Sequence, residues 1–151
     1  MKLNAATGAE IWQIVMNSDD SGMGIRSGYE SVEFTADGGF IVGGFANFPY
    51  NEFPNYKSGG QVDAGNPIFQ KFSAAVASQT TAFTTPPTPE WTYRCGAGNN
   101  CTAQGCSKVM RIYMDNGVEK VVTVPGTAAQ IIIVNAADGT QGQLTYFYEN
   151  N

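Results

Sequence analysis

The chain has no histidine among its 151 residues. Histidine is the commonest general base, the commonest zinc ligand and the usual switch near neutral pH. Its absence excludes a Ser-His-Asp or Cys-His catalytic apparatus within this chain. Charged residues are also scarce, at 14%, and the formal net charge is −5. An acidic balance argues against nucleic acid and an anionic membrane surface as partners, because both require a basic face.

Long apolar runs and strong helix formers are scarce as well. No run of about 18 apolar residues occurs, so the sequence predicts no membrane-spanning segment. Leu, Lys and Arg are few, whereas glycine occurs 18 times and aromatic residues make up 12% of the chain. This composition predicts an all-β, turn-rich protein. The first residues lack the apolar region of a signal peptide and begin within a repeat, so we expect a mature product or an excised piece of something longer.

Strands are predicted from alternation, from β-branched and aromatic residues and from flanking turns. The clearest signal is a β-hairpin within Ser27–Phe45, where Val32 and Phe34 alternate with polar residues. Asp37-Gly38 is predicted to form its type I′ turn, and Glu33 to lie on the solvated face. Further strands are predicted at Lys2–Asn4, Glu10–Met16, Pro67–Ser73, Trp91–Arg94, Lys108–Asp115, Val118–Val124, Ala129–Ala136 and Leu144–Glu149.

The two halves of the chain share one spacing of signals. Trp12 and Trp91 are 79 positions apart, and so are the turn sequences Asp37-Gly38 and Asn116-Gly117. A short signature, an apolar residue followed by Asn or Ser and two alanines, begins three times: at Leu3, Phe72 and Val134. These spacings predict two four-stranded antiparallel units, propeller-blade-like or packed as a sandwich. The alternative is an ordinary β-sandwich whose turns coincide with these positions.

The predicted organisation has three parts. Residues 1–73 form a first β-repeat unit, and residues 91–151 form a second unit with the start of a third. Residues 74–90, rich in Thr and Pro, form an extended connection between them.

The first unit resembles a known kind of repeat. Leu3-Asn4-Ala5-Ala6-Thr7-Gly8 followed by Trp12 resembles the signature of quinoprotein-type β-propellers, in which a Thr-Gly turn precedes a tryptophan that docks between blades. The segment 37–44 resembles the Asp-Gly-Gly-aromatic-Ile-Val core of secreted bacterial propeller-like proteins. The resemblance covers about residues 2–73, and Asn116-Gly117-Val118-Glu119 departs from it. Two blades do not close a ring, so the resemblance implies a larger or oligomeric assembly.

Three cysteines, Cys95, Cys101 and Cys106, lie close together in a Gly/Asn-rich stretch. One interpretation is a disulfide that staples the loop, with the third thiol available to another chain. A zinc site is the weaker interpretation, because three thiolates lack a fourth ligand here.

Two features indicate glycosylation. Asn100 begins an Asn-Cys-Thr sequon in the cysteine-rich loop. Thr84 and Thr85 lie in the Thr/Pro-rich connection, a composition that either carries O-linked sugar or forms a plain extended link. With the cysteines, these features predict an extracellular or cell-surface location.

Two sets of acidic residues are candidate sites. Asp19 and Asp20 lie in an oxygen-rich loop that could hold calcium, but the loop lacks the spacing of an EF-hand and a solvated loop is favoured. Glu30, Glu33 and Glu52 could supply the carboxylate pair of a glycosidase. A solvated face is the favoured interpretation of these glutamates as well, and no metal site is predicted.

An aromatic loop at residues 45–56 is the stronger candidate binding site. Tyr50, Phe53 and Tyr56 could stack on sugar rings or on the prolines of a partner. The alternative is that they cover the core beneath a long loop.

The sequence therefore predicts a non-catalytic, extracellular structural or adhesive β-repeat protein without a cofactor. Its expected partners are further copies of itself, in a glycosylated cell-surface assembly or filament. The alternative is a carbohydrate- or protein-binding module that uses the aromatic loop. A fragment of a propeller enzyme ranks last, and a quinone is not expected because two blades cannot form its axial site.

Overall fold

The computed structural model describes residues 1–15, 28–46, 66–95, 109–124, 130–142 and 145–146. Within these ranges the protein is mostly β-structure, as the composition predicts. The strands are β1 (Lys2–Leu3), β2 (Glu10–Trp12), β3 (Gly28–Phe34), β4 (Phe40–Ala46), β5 (Asn66–Phe72), β6 (Trp91–Arg94), β7 (Met110–Asp115), β8 (Val118–Thr123), β9 (Gln130–Asn135) and β10 (Thr145–Tyr146). One short helix, α1, spans Ala74–Ser78.

All of these strands pair antiparallel in three groups. β1 pairs with β2 to form an N-terminal hairpin. β3 to β6 form a first sheet in sequence order, and β7 to β9 form a second sheet that the two-residue β10 extends along β9. β6 follows the Thr/Pro-rich connection in the sequence yet pairs with β5. Trp91, which begins the second predicted unit, therefore belongs to the first sheet of the structure.

The three groups stack in series through two apolar clusters. Between the first and second sheets, Phe69, Ile41 and Val121 are fully buried in a cluster that also holds Tyr93, Met110, Ile132 and Val134. Between the first sheet and the N-terminal hairpin lies a smaller cluster of Trp12, Phe40, Val42 and Phe72. Burying each large apolar side chain contributes about 1.5–3 kcal/mol, so the larger cluster is the main source of stability.

The turn between β3 and β4 differs from the predicted type I′ form. Asp37 does not adopt a positive φ, and Gly38 alone does, with a φ of 84°. The Gly38 N–H donates to the Thr35 carbonyl at 3.0 Å and the Thr35 N–H to the Gly39 carbonyl at 3.0 Å. The loop is therefore a three-residue type I turn closed by a left-handed glycine.

The turn between β7 and β8 does have the predicted form. Asn116 and Gly117 have φ values of 50° and 81°, as both central residues of a type I′ turn require. Asp115 and Val118 pair directly across it. The two hairpins at the same repeat position thus have loops of different length.

Two predicted segments are wrong in part. β2 ends at Trp12, and residues 13–15 are not in a strand, although Glu10–Met16 was predicted as one. The connection at 74–90 does not begin as an extended chain, because α1 occupies its first turns. Ser73 caps this helix by accepting a hydrogen bond from the Val76 N–H at 3.4 Å.

The repeated signature forms a recurring backbone turn. The Gly8 N–H donates to the Asn4 carbonyl at 2.8 Å, and the Gly139 N–H donates to the Asn135 carbonyl at 2.9 Å. Both glycines have a φ of 70°. In the middle copy the Ala77 N–H donates to the Ser73 carbonyl at 3.0 Å, and the chain continues as α1. The absence of a glycine there lets the turn extend into a helix.

Each tryptophan docks on the next copy of this turn. The Trp12 indole N–H donates to the Gln79 carbonyl, just after α1, at 3.1 Å. The Trp91 indole N–H donates to the Ala136 carbonyl at 3.1 Å, and its ring lies against Gly139. Both tryptophans therefore donate the indole N–H to a backbone carbonyl in or just after the next copy of the signature, although the two acceptors lie at different positions of the copy.

Candidate functional site

The alternating strand β3 turns its faces opposite to the prediction. Val32 and Phe34 are 54% and 73% exposed, whereas Glu33 is half-buried. Glu33 faces the second sheet, where its carboxylate accepts a hydrogen bond from the Arg111 guanidinium at 2.8 Å. Two-residue periodicity fixes which residues share a face, but it does not say which face meets the larger core. In β3, the face that carries the polar residues packs toward the second sheet.

We call the other face of the first sheet the N-terminal face, and it consists of Tyr29, Val32, Phe34, Phe40, Val42 and Phe72. Strand pairing places Phe34, Phe40 and Phe72 in one row across β3, β4 and β5. The Phe40 and Phe72 rings stack at 5.2 Å, and the Phe34 and Phe40 rings lie 6.4 Å apart. Aromatic pairs at these distances are favourable.

The N-terminal hairpin covers only part of this row. Trp12 lies 6.1 Å from Phe40 and 5.3 Å from Phe83, measured between ring centroids, and is 7% exposed. Phe40 and Phe72 are buried beneath it, but Phe34 at the outer edge is not. The N-terminal hairpin therefore covers the row on β5 and β4 but not on β3, and this edge strand presents its apolar side to solvent.

A groove of about 420 Å³ follows this uncovered margin. Its walls are largely apolar and include Met1, Ile14, Tyr29, Val32 and Phe34. An exposed apolar groove of this kind is a place where a partner can bind.

The polar groups around the groove are mostly engaged within the chain. The Lys2 ammonium donates to the Ala77 and Gln79 carbonyls at 2.8 and 3.0 Å. The Tyr29 hydroxyl donates to the Gln70 side-chain carbonyl, and burial raises the pKa of Tyr29 to about 12. Glu30 lines the groove and is exposed. The groove thus offers few convergent polar groups, which suits an apolar protein surface better than a small polar ligand.

A buried lysine supports the hairpin at the other side of the first sheet. The Lys71 side chain is 5% exposed and forms ion pairs with Asp37 and with Glu90, the latter at 3.4 Å. The hydrogen bond from Lys71, followed by those from the Thr35 hydroxyl and the Gly39 N–H, lowers the pKa of Asp37 to about 2. Burial acts to lower the pKa of Lys71, but the attraction of Asp37 and Glu90 outweighs it and the pKa is raised.

This polar cluster is structural in its chemistry. Asp37 is held as a carboxylate and Lys71 as an ammonium, so neither is poised as a nucleophile or a general base near neutral pH. The hydrogen bonds of Asp37 to Thr35 and Gly39, at 2.6 and 3.0 Å, fix the turn between β3 and β4. Beyond the Asp-Gly pair, no local pattern predicts this cluster, because Lys71 lies 34 residues from Asp37 in the sequence.

Few of the predicted site residues can be placed. Thr84 and Thr85 are exposed on the connection between the first sheet's last two strands. Cys95 is 1% exposed at the end of β6, and its N–H donates to the Pro67 carbonyl at 3.0 Å. The others lie outside the described residues: Asp19, Asp20, Tyr50, Glu52, Phe53, Tyr56, Asn100, Cys101 and Cys106.

Two kinds of feature are absent from the part of the chain that the structure describes. It contains no cluster of three or more Cys, Asp or Glu side chains able to hold a metal ion. No helix in it is both long and apolar enough to cross a membrane.

Comparisons with known proteins add no family. No protein-family model, no curated protein and no solved structure matches this chain.

Proposed function

We propose that this protein is a non-catalytic structural β-repeat protein that assembles through the uncovered faces of its stacked sheets. The observation that carries the proposal is the exposure of Val32 and Phe34 beside an apolar groove on the N-terminal face. Phe34 extends the aromatic row to the edge strand, yet 73% of it is exposed to solvent. In an assembly, a neighbouring chain that packs on Phe34 would bury this ring and extend the aromatic row.

The surroundings of the groove support a protein partner rather than a small molecule. Its polar side chains are largely committed to bonds within the chain, and its walls are apolar. β3 is also the edge strand of the first sheet, and edge strands offer unpaired backbone groups to a neighbouring chain.

We further propose that the assembly is extracellular and glycosylated, with Cys95 in a disulfide to Cys101 or Cys106. The clustered cysteines, the sequon at Asn100 and the exposed threonines Thr84 and Thr85 support this. Intact mass of the native material under non-reducing conditions tests it. A bare polypeptide mass with three reactive thiols would contradict it.

Light scattering and negative-stain electron microscopy over a concentration series test the assembly. We expect the mean mass to rise with concentration and polymers to appear. Phe34→Glu should abolish this rise in mean mass, because assembly would then bury an unpaired charge. The control Met114→Glu changes an equally exposed residue away from the N-terminal face, since Met114 is 61% exposed at the β7–β8 hairpin. A wild-type chain that stays monomeric at high concentration would refute the proposal.

Carbohydrate binding through the aromatic loop is a second candidate, favoured by the repeated Phe-Pro pattern at residues 48–56. A glycan array comparing the wild type with Tyr50→Ala and Tyr56→Ala tests it. We expect binding of a glycan class that either substitution weakens. An array without any bound glycan would exclude this candidate.

A further inference from the structure

Two turns near opposite ends of the chain have the same backbone. We call them the N-terminal turn (residues 4–10) and the C-terminal turn (residues 135–141). Both begin with Asn-Ala-Ala and have the left-handed glycine at the fifth position. The Asn4 N–H donates to the Ala9 carbonyl at 2.8 Å, and the Asn135 N–H donates to the Thr140 carbonyl at 2.9 Å. Because these bonds and the glycine bonds described above agree, the two turns correspond residue by residue.

The C-terminal turn is covered by strand β6. The Trp91 indole N–H donates to the Ala136 carbonyl at 3.1 Å, and the Trp91 ring occupies the space where a Cβ on Gly139 would lie, 2.6 Å from it. Two residues further along β6, the Tyr93 hydroxyl donates to the Gln141 side-chain carbonyl at 3.3 Å. Ala136 is accordingly 0% exposed. One strand with a tryptophan and a tyrosine at alternate positions therefore covers this turn.

The N-terminal turn offers the same groups without this cover. Ala5 supplies the carbonyl that corresponds to that of Ala136. Gly8 leaves the place of the ring open, because a Cβ there would meet nothing within 4 Å. Glu10 supplies a carboxylate where the C-terminal turn has the Gln141 side chain. Residues 4–10 are all exposed, and none of them lines the groove on the N-terminal face.

We propose that the N-terminal turn binds an extended segment of a partner protein that carries a tryptophan and, two residues later, a tyrosine. The indole N–H donates to the Ala5 carbonyl, the ring packs on Gly8, and the tyrosine hydroxyl donates to the Glu10 carboxylate. Hydrogen bonds to an ionised group are stronger than neutral ones, so this last contact favours a donor at that position.

A second copy of the chain does not supply this tryptophan. The chain has two tryptophans, and both donate to carbonyls within it. The partner is therefore a different polypeptide. The binding site is separate from the proposed assembly surface and does not depend on self-association.

A titration of the full chain with a synthetic peptide tests this binding, followed by the backbone amide signals in two-dimensional NMR. The peptide has the sequence of residues 88–94, Thr-Pro-Glu-Trp-Thr-Tyr-Arg, which includes the strand that covers the C-terminal turn. We expect the amide signals of the N-terminal turn to shift as the peptide is added, up to millimolar concentration. A second peptide with phenylalanine in place of the tryptophan should bind about fivefold more weakly, because it lacks the indole hydrogen bond.

A matched pair of glycine variants shows where the peptide binds. Gly8→Ala places a methyl group in the space for the ring and should abolish the shifts. Gly117→Ala is the control, because Gly117 also has a positive φ, of 81°, with nothing within 4 Å of its Cβ position, and lies in another turn. If circular dichroism shows that Gly8→Ala does not fold, Glu10→Ala replaces it and should weaken binding about threefold, because one hydrogen bond is lost.

Three outcomes would overturn the inference. The amide signals of the N-terminal turn could stay unchanged at the highest peptide concentration. The phenylalanine peptide could bind as tightly as the tryptophan peptide, or the variant in the N-terminal turn could bind like the wild type. A chain that stays monomeric in light scattering would refute the proposed function but leave this binding test intact. Absence of peptide binding would leave the proposed function standing.

Discussion

The two faces of the first sheet have similar apolar rows but very different cover. On the side of the second sheet, Ile41 and Phe69 are fully buried against side chains of β7, β8 and β9. On the N-terminal face, the elements that oppose the row within the described residues are the short strands β1 and β2 and the short helix α1, and Phe34 is 73% exposed. The comparison shows that apolar content alone does not identify the core. The extent of the opposing layer decides which row stabilises the monomer and which remains available for contact.

The largest expected effect comes from removing a buried ring from the face of the first sheet that packs on the second sheet. Phe69→Ala should lower the free energy of unfolding by about 3–5 kcal/mol, because it removes a fully buried ring from a packed cluster. Phe34→Ala should change it by less than about 0.5 kcal/mol in the monomer, because that ring is exposed. Urea denaturation of dilute protein measures both. Equal costs would show that the N-terminal face is covered in solution.

Two glycines in the recurring turn provide a matched test of tryptophan docking. Gly8 and Gly139 both have a φ of 70°, but only at Gly139 would a Cβ meet the Trp91 ring, at 2.6 Å. Gly8→Ala should cost about 1–2 kcal/mol through backbone strain alone. Gly139→Ala should add about 1–3 kcal/mol for overpacking.

Thermal or urea unfolding of the two alanine variants gives the difference directly. A difference near zero would mean that the Trp91 ring moves away at no cost. The junction between the sheets would then not depend on this contact.

Removing each indole N–H compares the two docking contacts themselves. Trp12→Phe and Trp91→Phe should each cost about 1–2 kcal/mol, since a carbonyl loses its donor and the smaller ring leaves space. Trp12→Phe should cost more, because Trp12 is 7% exposed and packs against Phe40 and Phe83, whereas Trp91 is only half-buried. Urea unfolding of both variants checks the order. A larger loss in Trp91→Phe would mean that the N-terminal hairpin contributes little to stability.

Local signals in the sequence predicted the β-class, most strand positions and the Asn116-Gly117 turn. Hydrophobic alternation and turn residues act over a few neighbours, so they can be seen without the fold. The repeat of tryptophans was also visible, and the structure supplies its physical basis in the two indole hydrogen bonds.

The orientation of β3 was not predictable in the same way. Val32 and Phe34 would face the core in an isolated hairpin packed on one layer. This sheet lies between two layers, and Glu33 finds Arg111, 78 residues away, on the larger one. The exposure of the N-terminal face therefore depends on the order in which the sheets stack. A local stretch of a few residues carries no information about that order. The ion pair of Lys71 with Asp37 was not predictable for the same reason, because the two residues are 34 positions apart.

The smallest expected effect concerns the turn that borders both faces. Because the pKa of Asp37 is lowered from 3.8 to about 2 in the folded protein, its charge stabilises the fold above about pH 4. That contribution is lost as the pH falls from about 4 towards 2. Asp37 is 55% exposed, so solvent screening limits the contribution to less than about 1 kcal/mol.

Asp37→Asn should therefore flatten the loss of stability between pH 4 and 2, as urea midpoints at several pH values would show. Asp138→Asn is the control, because Asp138 has a lowered pKa from Thr140 without a lysine partner. An unchanged acid slope in Asp37→Asn would mean that the charge of Asp37 adds no stability to the turn at the edge of the N-terminal face.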